Sequence, residues 1–152
     1  MTIGVISDTH GLLRPEAVAA LRGADLIMHA GDVGAPQVLD ALRAIAPTVA
    51  VRGNVDTAIW ATALRPTEVV AAGDHAIFML HDRADLTADA RAAGYAAVIF
   101  GHSHRPTVET RDGVLFLNPG SAGPRRFSLP VTVARVTVAG GRLAAEIVTL
   151  PV

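Results

Sequence analysis

Seven side chains in this sequence have the chemistry to bind metal ions: Asp8, His10, Asp32, Asn54, His81, His102 and His104. The densest signal is Gly101-His102-Ser103-His104, which follows the apolar run Ala96 to Phe100. A glycine lets the chain turn sharply where a strand ends. Two imidazoles, one residue apart, leave one short backbone segment there. One metal could hardly take both, but two neighbouring metals could take one each. The other candidates also follow apolar runs: Asp8 and His10 after residues 2–7, Asp32 after 25–29, Asn54 after 48–51, His81 after 75–80. Each motif alone is ordinary. Asp-x-His at a strand end is usually a cap or turn, Gly31-Asp32 and Gly53-Asn54 are common turns, and a lone His81 reads as structural. Their joint occurrence carries the argument.

In open α/β sheets, ligands bind beyond the carboxyl ends of the strands. Residues remote in sequence would therefore meet on one rim. Two divalent ions about 3.5–4 Å apart can stabilise both the attacking and the leaving oxygen of a displacement at phosphorus. Such a pair needs a bridging carboxylate, for which Asp32 is the natural candidate. It also needs neutral imidazoles and a water whose pKa falls on binding.

The elements needed to position these residues are legible in the apolar spacing. Strands are expected over 2–7, 25–29 and 48–51, with helices opening at Pro15 and Pro36 between them. That alternation argues for parallel strands. Residues 68–72 and 75–80 flank Gly73-Asp74 as a hairpin. A third helix is expected over 86–93, closed by Gly94. Two further hairpins turn at Asp112-Gly113 and at Gly140-Gly141. The expected fold is α/β: two mixed sheets packed face to face with helices outside, in a single domain spanning 1–152.

Composition narrows the chemistry. The chain has 152 residues, no cysteine and a net charge of −1. Thiolate metal sites, disulfides and thiol nucleophiles are excluded. A site built from His, Asp, Asn and water suits Mn, Zn, Fe, Ni or Co. No basic stripe points to nucleic acid. No apolar run approaches the roughly 20 residues of a membrane helix. The start reads as a first strand rather than a secretory leader, so the expected location is the cytoplasm.

The ordered set Asp8-x-His10, Gly31-Asp32, Gly53-Asn54, His81 and Gly101-His102-x-His104 resembles the calcineurin-like metallophosphoesterase superfamily. Together with the loop Asn118-Pro119-Gly120-Ser121 and the small size, it is most similar to the compact bacterial and archaeal phosphodiesterase branch, related to vacuolar sorting protein 29. The resemblance implies an αββα sandwich and two divalent ions, Mn foremost. Asp8, His10 and His104 would hold one ion, and Asn54, His81 and His102 the other, with Asp32 bridging. Asp32, Asn54 and His102 would carry the hydrolysis of a small phosphate ester by a hydroxide activated at the dinuclear centre. The alternatives are a phosphomonoesterase, or a non-catalytic metal-binding protein-interaction scaffold that keeps the fold without the turnover; a homo-oligomer is compatible with either.

Two departures from the family pattern stand out. Val55 occupies a position where many relatives carry a histidine that assists the leaving group, which favours esters with good leaving groups. Asp82 stands where glycine is frequent. It reads first as an exposed loop residue, and alternatively as a carboxylate that orients a histidine. His29 reads as a buried strand histidine behind the ligands, His75 as a solvated turn residue, and Asp56 as a turn cap or support for Asn54. Arg125 and Arg126 could reach a phosphate or simply lie on the surface. Trp60 could cover the site or a subunit contact.

Overall fold

The computed structural model describes residues 1–152. The first part of the chain alternates strand and helix as the apolar spacing requires. β1 (Thr2–Ile6) pairs in parallel with β2 (Leu26–His29), and β2 in parallel with β3 (Thr48–Ala50). The crossovers are α1 (Pro15–Leu21) and α2 (Pro36–Arg43). Each has proline in its first turn, where the missing N–H costs nothing and the fixed φ suits the helix. The hairpins follow: β4 (Thr67–Ala72) with β5 (His75–Leu80), β7 (Thr107–Arg111) with β8 (Val114–Asn118), and β9 (Thr132–Ala139) with β10 (Arg142–Thr149). β6 (Tyr95–Ile99) lies between β5 and β8, parallel to both.

Two five-stranded mixed sheets result, in the orders β10-β9-β1-β2-β3 and β4-β5-β6-β8-β7. Alternate side chains from both sheets meet between them: Ile3, Val5 and Met28 from one, Ile77, Met79 and Ile99 from the other, all buried. Each such side chain contributes about 1.5–3 kcal/mol on burial. The helices pack on the outer face of the first sheet, where Leu21, Leu39 and Leu42 join Ile6 and Ile27. The approach is close. A Cβ on Gly4 would come within 2.7 Å of Leu21 Cδ2, so the absence of a side chain at residue 4 lets α1 sit down on β1.

The outer face of the second sheet departs from expectation. The segment 86–93 is not a helix. Only a short 3-10 turn forms, over Arg83–Asp85. Asp89 bonds back to the backbone N–H groups of Arg91 and Ala92, a local alternative that competes with helix propagation. One helical bond, Ala93 N–H to the Asp89 carbonyl, closes a single turn, and Gly94 ends it with φ of 83°. An irregular strap therefore covers this face. Leu86 and Ala90 pack on Phe100 and Phe116, and the Arg83 guanidinium lies over both rings at 5.3 and 4.5 Å. Arg83 also pairs with Glu109 of β7. Trp60, in a 3-10 turn over Ile59–Ala63, packs against the helix-side core of the first sheet. No helix is long and apolar enough to cross a membrane.

Candidate metal centre

Parallel pairing aligns the carboxyl ends of β1, β2 and β3 on one edge, and of β5 and β6 beside them. The loops that leave these ends are laced together by backbone bonds. Asp8 N–H donates to the Gly31 carbonyl, His10 N–H to the Asp32 carbonyl, and Gly101 N–H to the His81 carbonyl, at 2.9–3.0 Å. Six of the seven expected ligands then fall into two clusters. Asp8, His10 and His104 form one, and Asp32, His81 and His102 the other, each with ligand atoms within 4.8 Å of one another. Asp32 Oδ2 lies 3.7 Å from His10 Nε2 in one cluster and 3.2 Å from His81 Nε2 in the other. It thus faces both, as a bridging carboxylate must. Asp8 Oδ1 also faces both, 3.4 Å from His104 Nε2 and 3.9 Å from His81 Nε2. Asn54 is exposed and lines an adjoining cavity of about 280 Å³ with Arg52, Asp82, His81 and His102.

The bonding of these groups is incomplete in a particular way. Asp8 Oδ1, His10 Nε2, His81 Nε2 and His104 Nδ1 are buried without a hydrogen-bond partner, four of only five such atoms in the chain. An unpaired buried polar group costs about 1–3 kcal/mol, so the three that face one another here, Asp8 Oδ1, His10 Nε2 and His81 Nε2, call for a missing partner. Divalent cations, which accept lone pairs from carboxylate and imidazole alike, are such a partner. The donor set fits them.

The backbone is strained at the same residues. Asp8, His10, Asp32, His102 and His104 all have φ between 48 and 72°. This left-handed region costs a non-glycine residue about 1–3 kcal/mol. It persists because surrounding groups hold it. Asp8 Oδ2 accepts from Ser7 Oγ at 2.7 Å and from His102 N–H at 3.1 Å, which leaves Oδ1 to face the imidazoles. Asp32 Oδ1 accepts from Val55 N–H at 3.0 Å, leaving Oδ2 free. Asp56 accepts from the N–H groups of Val33, Gly34 and Gly53 and so ties the loop after β2 to the loop after β3. A Cβ on Gly53 would collide with Asp32 N and Oδ1.

Charge follows burial and pairing. Burial pushes the Asp8 carboxyl up, against the Ser7 bond and the nearby His81 and His104. Burial acts on Asp32 in the same sense but is outweighed by His81, the Val55 N–H and His10, and its pKa falls to about 2. Burial would lower His81, but the Asp32 and Asp8 carboxylates and the Ala30 carbonyl raise it. The cation-free site therefore favours a proton on His81, which metal uptake would release. Behind the site, burial lowers His29 to about 3. Its Nδ1 accepts from Gly31 N–H at 3.1 Å, so Nε2 carries the proton and donates to Thr9 Oγ1 at 3.0 Å.

The profile of the calcineurin-like phosphoesterase superfamily domain matches residues 1–141. The chain belongs to this superfamily. A "probable metallophosphoesterase" of Methanothermobacter thermautotrophicus is 33% identical over 97% of this chain and 92% of its own length. Among solved structures, Vps29 of Chaetomium thermophilum aligns with a TM-score of 0.79 at 23% identity, over 99% of this chain and 98% of that one. An archaeal phosphodiesterase aligns with a TM-score of 0.77 at 22% identity, over 97% and 100%. At these identities the two likenesses show the fold.

In this calcineurin-like chain, the supporting residues are those the sequence made hardest to see. Asn118 donates to the Gly101 carbonyl at 3.0 Å and to Ser103 Oγ at 3.1 Å, holding the His102–His104 loop. Ser121 Oγ donates to the Asp8 carbonyl. Ser7 had no signal beyond its place before Asp8. Asp82 is not a free loop residue: it caps the turn over Arg83–Asp85 and its Oδ2 faces His102. Arg125 bonds the carbonyls of Leu129 and Val152, a surface tie, whereas the charge of Arg126 acts on His104. His75 is half-buried at the start of β5.

Proposed function

We infer that this metallophosphoesterase-family chain is a dinuclear metal-dependent phosphodiesterase acting on small esters with good leaving groups. The observation that supports this most is the convergence of three buried, unpartnered atoms, Asp8 Oδ1, His10 Nε2 and His81 Nε2, on two clusters that Asp32 faces. Asp8, His10 and His104 would hold one cation, and His81, His102 and Asn54 the other, with Asp32 between them. Cations so held would supply an activated water and neutralise charge on the phosphoryl oxygens.

The chain's own residues do the rest. The 280 Å³ cavity beside His81 and His102 would admit the ester, and Asn54 at its wall would donate its amide N–H to a phosphoryl oxygen. Arg52, on the same wall, has no ion-pair partner and would attract the anionic substrate. Val55 is 43% exposed and its side chain has no proton to give. The leaving group must therefore depart without an acid from residue 55, which favours aryl over alkyl esters.

A scaffold reading rests on the likeness to Vps29, which is a likeness of fold. A scaffold is free to lose ligands, and here every expected position is filled, so the enzyme reading is preferred. Assays of bis-p-nitrophenyl phosphate and p-nitrophenyl phosphate with added Mn²⁺ decide between them. Metal-dependent turnover that favours the diester and is absent in Asp32→Ala is expected. Metal uptake with no turnover of either ester would favour the scaffold.

A further inference from the structure

His102 is the least restrained imidazole of the centre. Its side chain is 47% exposed, against 22% for His10, 7% for His81 and 3% for His104. His81 is steered from behind, with its Nδ1–H on the Ala30 carbonyl at 2.7 Å. No hydrogen bond within the chain holds the His102 ring. Besides Asp32 of its own cluster, one charged group stands within reach of it. Asp82 Oδ2 lies 3.7 Å from His102 Nε2. That carboxylate is itself oriented, because its other oxygen accepts from Ala84 N–H at 3.0 Å. The separation exceeds a hydrogen bond and closes with a small rotation of the half-exposed ring.

We propose that Asp82 is a positioning residue whose carboxylate takes the Nε2–H of His102 and so leaves Nδ1 with the lone pair that ligates a cation of the Asp32-His81-His102 cluster. A ligating histidine works best when its other nitrogen is held by an acceptor, and removal of such an acceptor costs about 10–100-fold in metal affinity. His81 has a backbone carbonyl for this purpose. His102 has only Asp82, at a position where the family often has glycine and could offer nothing. The turn-capping role of Asp82 is separable, since serine at residue 82 could still accept from Ala84 N–H but could not reach His102.

This proposal rests on the two-cation reading, and the test keeps the two apart. Zn²⁺ alone is titrated into the chelator-treated full chain by calorimetry. The wild type is expected to take up two equivalents. In Asp82→Ser, one equivalent should weaken by about 10–100-fold while the other is unchanged, and Asp82→Asn, whose single amide oxygen caps the turn and leaves its NH2 facing the imidazole N–H, should lose as much. Long-range ¹H–¹⁵N spectra of the Zn²⁺-loaded wild type should show the His102 proton on Nε2. Two equivalents in the wild type with both affinities within about twofold in a folded Asp82→Ser, or a proton on His102 Nδ1, would overturn the role of Asp82 alone. A wild type that takes up no second equivalent would overturn the two-cation reading and this proposal with it.

Discussion

Lowering the pH of the chelated protein from 7.5 to 5.0 should expose the state of His29. In the fold this imidazole is fully buried, accepts from Gly31 N–H, donates to Thr9 Oγ1, and has a pKa of about 3. Unfolded, it titrates near 6.5. Between these values the unfolded chain binds the extra proton, so stability rises with pH across that window. The neutral-His29 contribution is complete above about pH 6.5 and is lost progressively as pH falls towards 3. At pH 5.0 the loss is about 1.36 × 1.5, or roughly 2 kcal/mol. It is set by the unfolded value, so a folded pKa of 4 would give nearly the same figure. Other groups titrate too, Asp8 and His81 among them. The quantity to measure is therefore the difference in urea-unfolding free energy between wild type and His29→Asn, in EDTA, at both pH values. The wild type should lose about 2 kcal/mol relative to the variant on going to pH 5.0. A difference that stays constant within about 0.5 kcal/mol would mean that His29 protonates freely in the fold, and the hydrogen-bond assignment behind the site would be wrong.

Three further outcomes are expected. His102→Gly and His102→Ala should both weaken metal uptake, but the glycine variant should be the more stable by about 1 kcal/mol in thermal unfolding, because residue 102 has φ of 72°; equal stabilities would deny the strain. Gly53→Ala should destabilise the chain by more than about 2 kcal/mol and abolish turnover, since its Cβ would collide with Asp32 N and Oδ1; a stable, active variant would show that the loops after β2 and β3 do not meet as described. Val55→His should raise turnover of alkyl diesters much more than of bis-p-nitrophenyl phosphate, measured by steady-state kinetics; equal effects would mean that the leaving group was not the limitation.

Much of the site was legible because it obeys a positional rule: Asp8, Asp32, Asn54, His81 and His102 each follow an apolar run, and parallel strands carry such positions to one edge. The hairpins were legible for a similarly local reason, since Asp112-Gly113 and Gly140-Gly141 supply the left-handed turns that short connections need. Residues 86–93 misled because leucine and alanine at helical spacing promise a helix, while Asp89 captures the N–H groups that a helix would need. The left-handed conformation of five of the candidate ligands was not legible at all. Neither aspartate nor histidine announces it, and it is imposed by contacts remote in sequence, such as Val55 N–H on Asp32 and Ser121 on the Asp8 carbonyl. Asp56 shows the same limit: its type suggested a turn cap, but its reach to Val33 and Gly34 depends on the fold.

The most direct test of the proposed dinuclear centre is a crystal soaked in Mn²⁺ with anomalous data collected at the manganese edge. Two peaks about 3.5–4 Å apart are expected, one against Asp8, His10 and His104, the other against His81 and His102, with Asp32 touching both. A single peak, or peaks away from these side chains, would contradict the account.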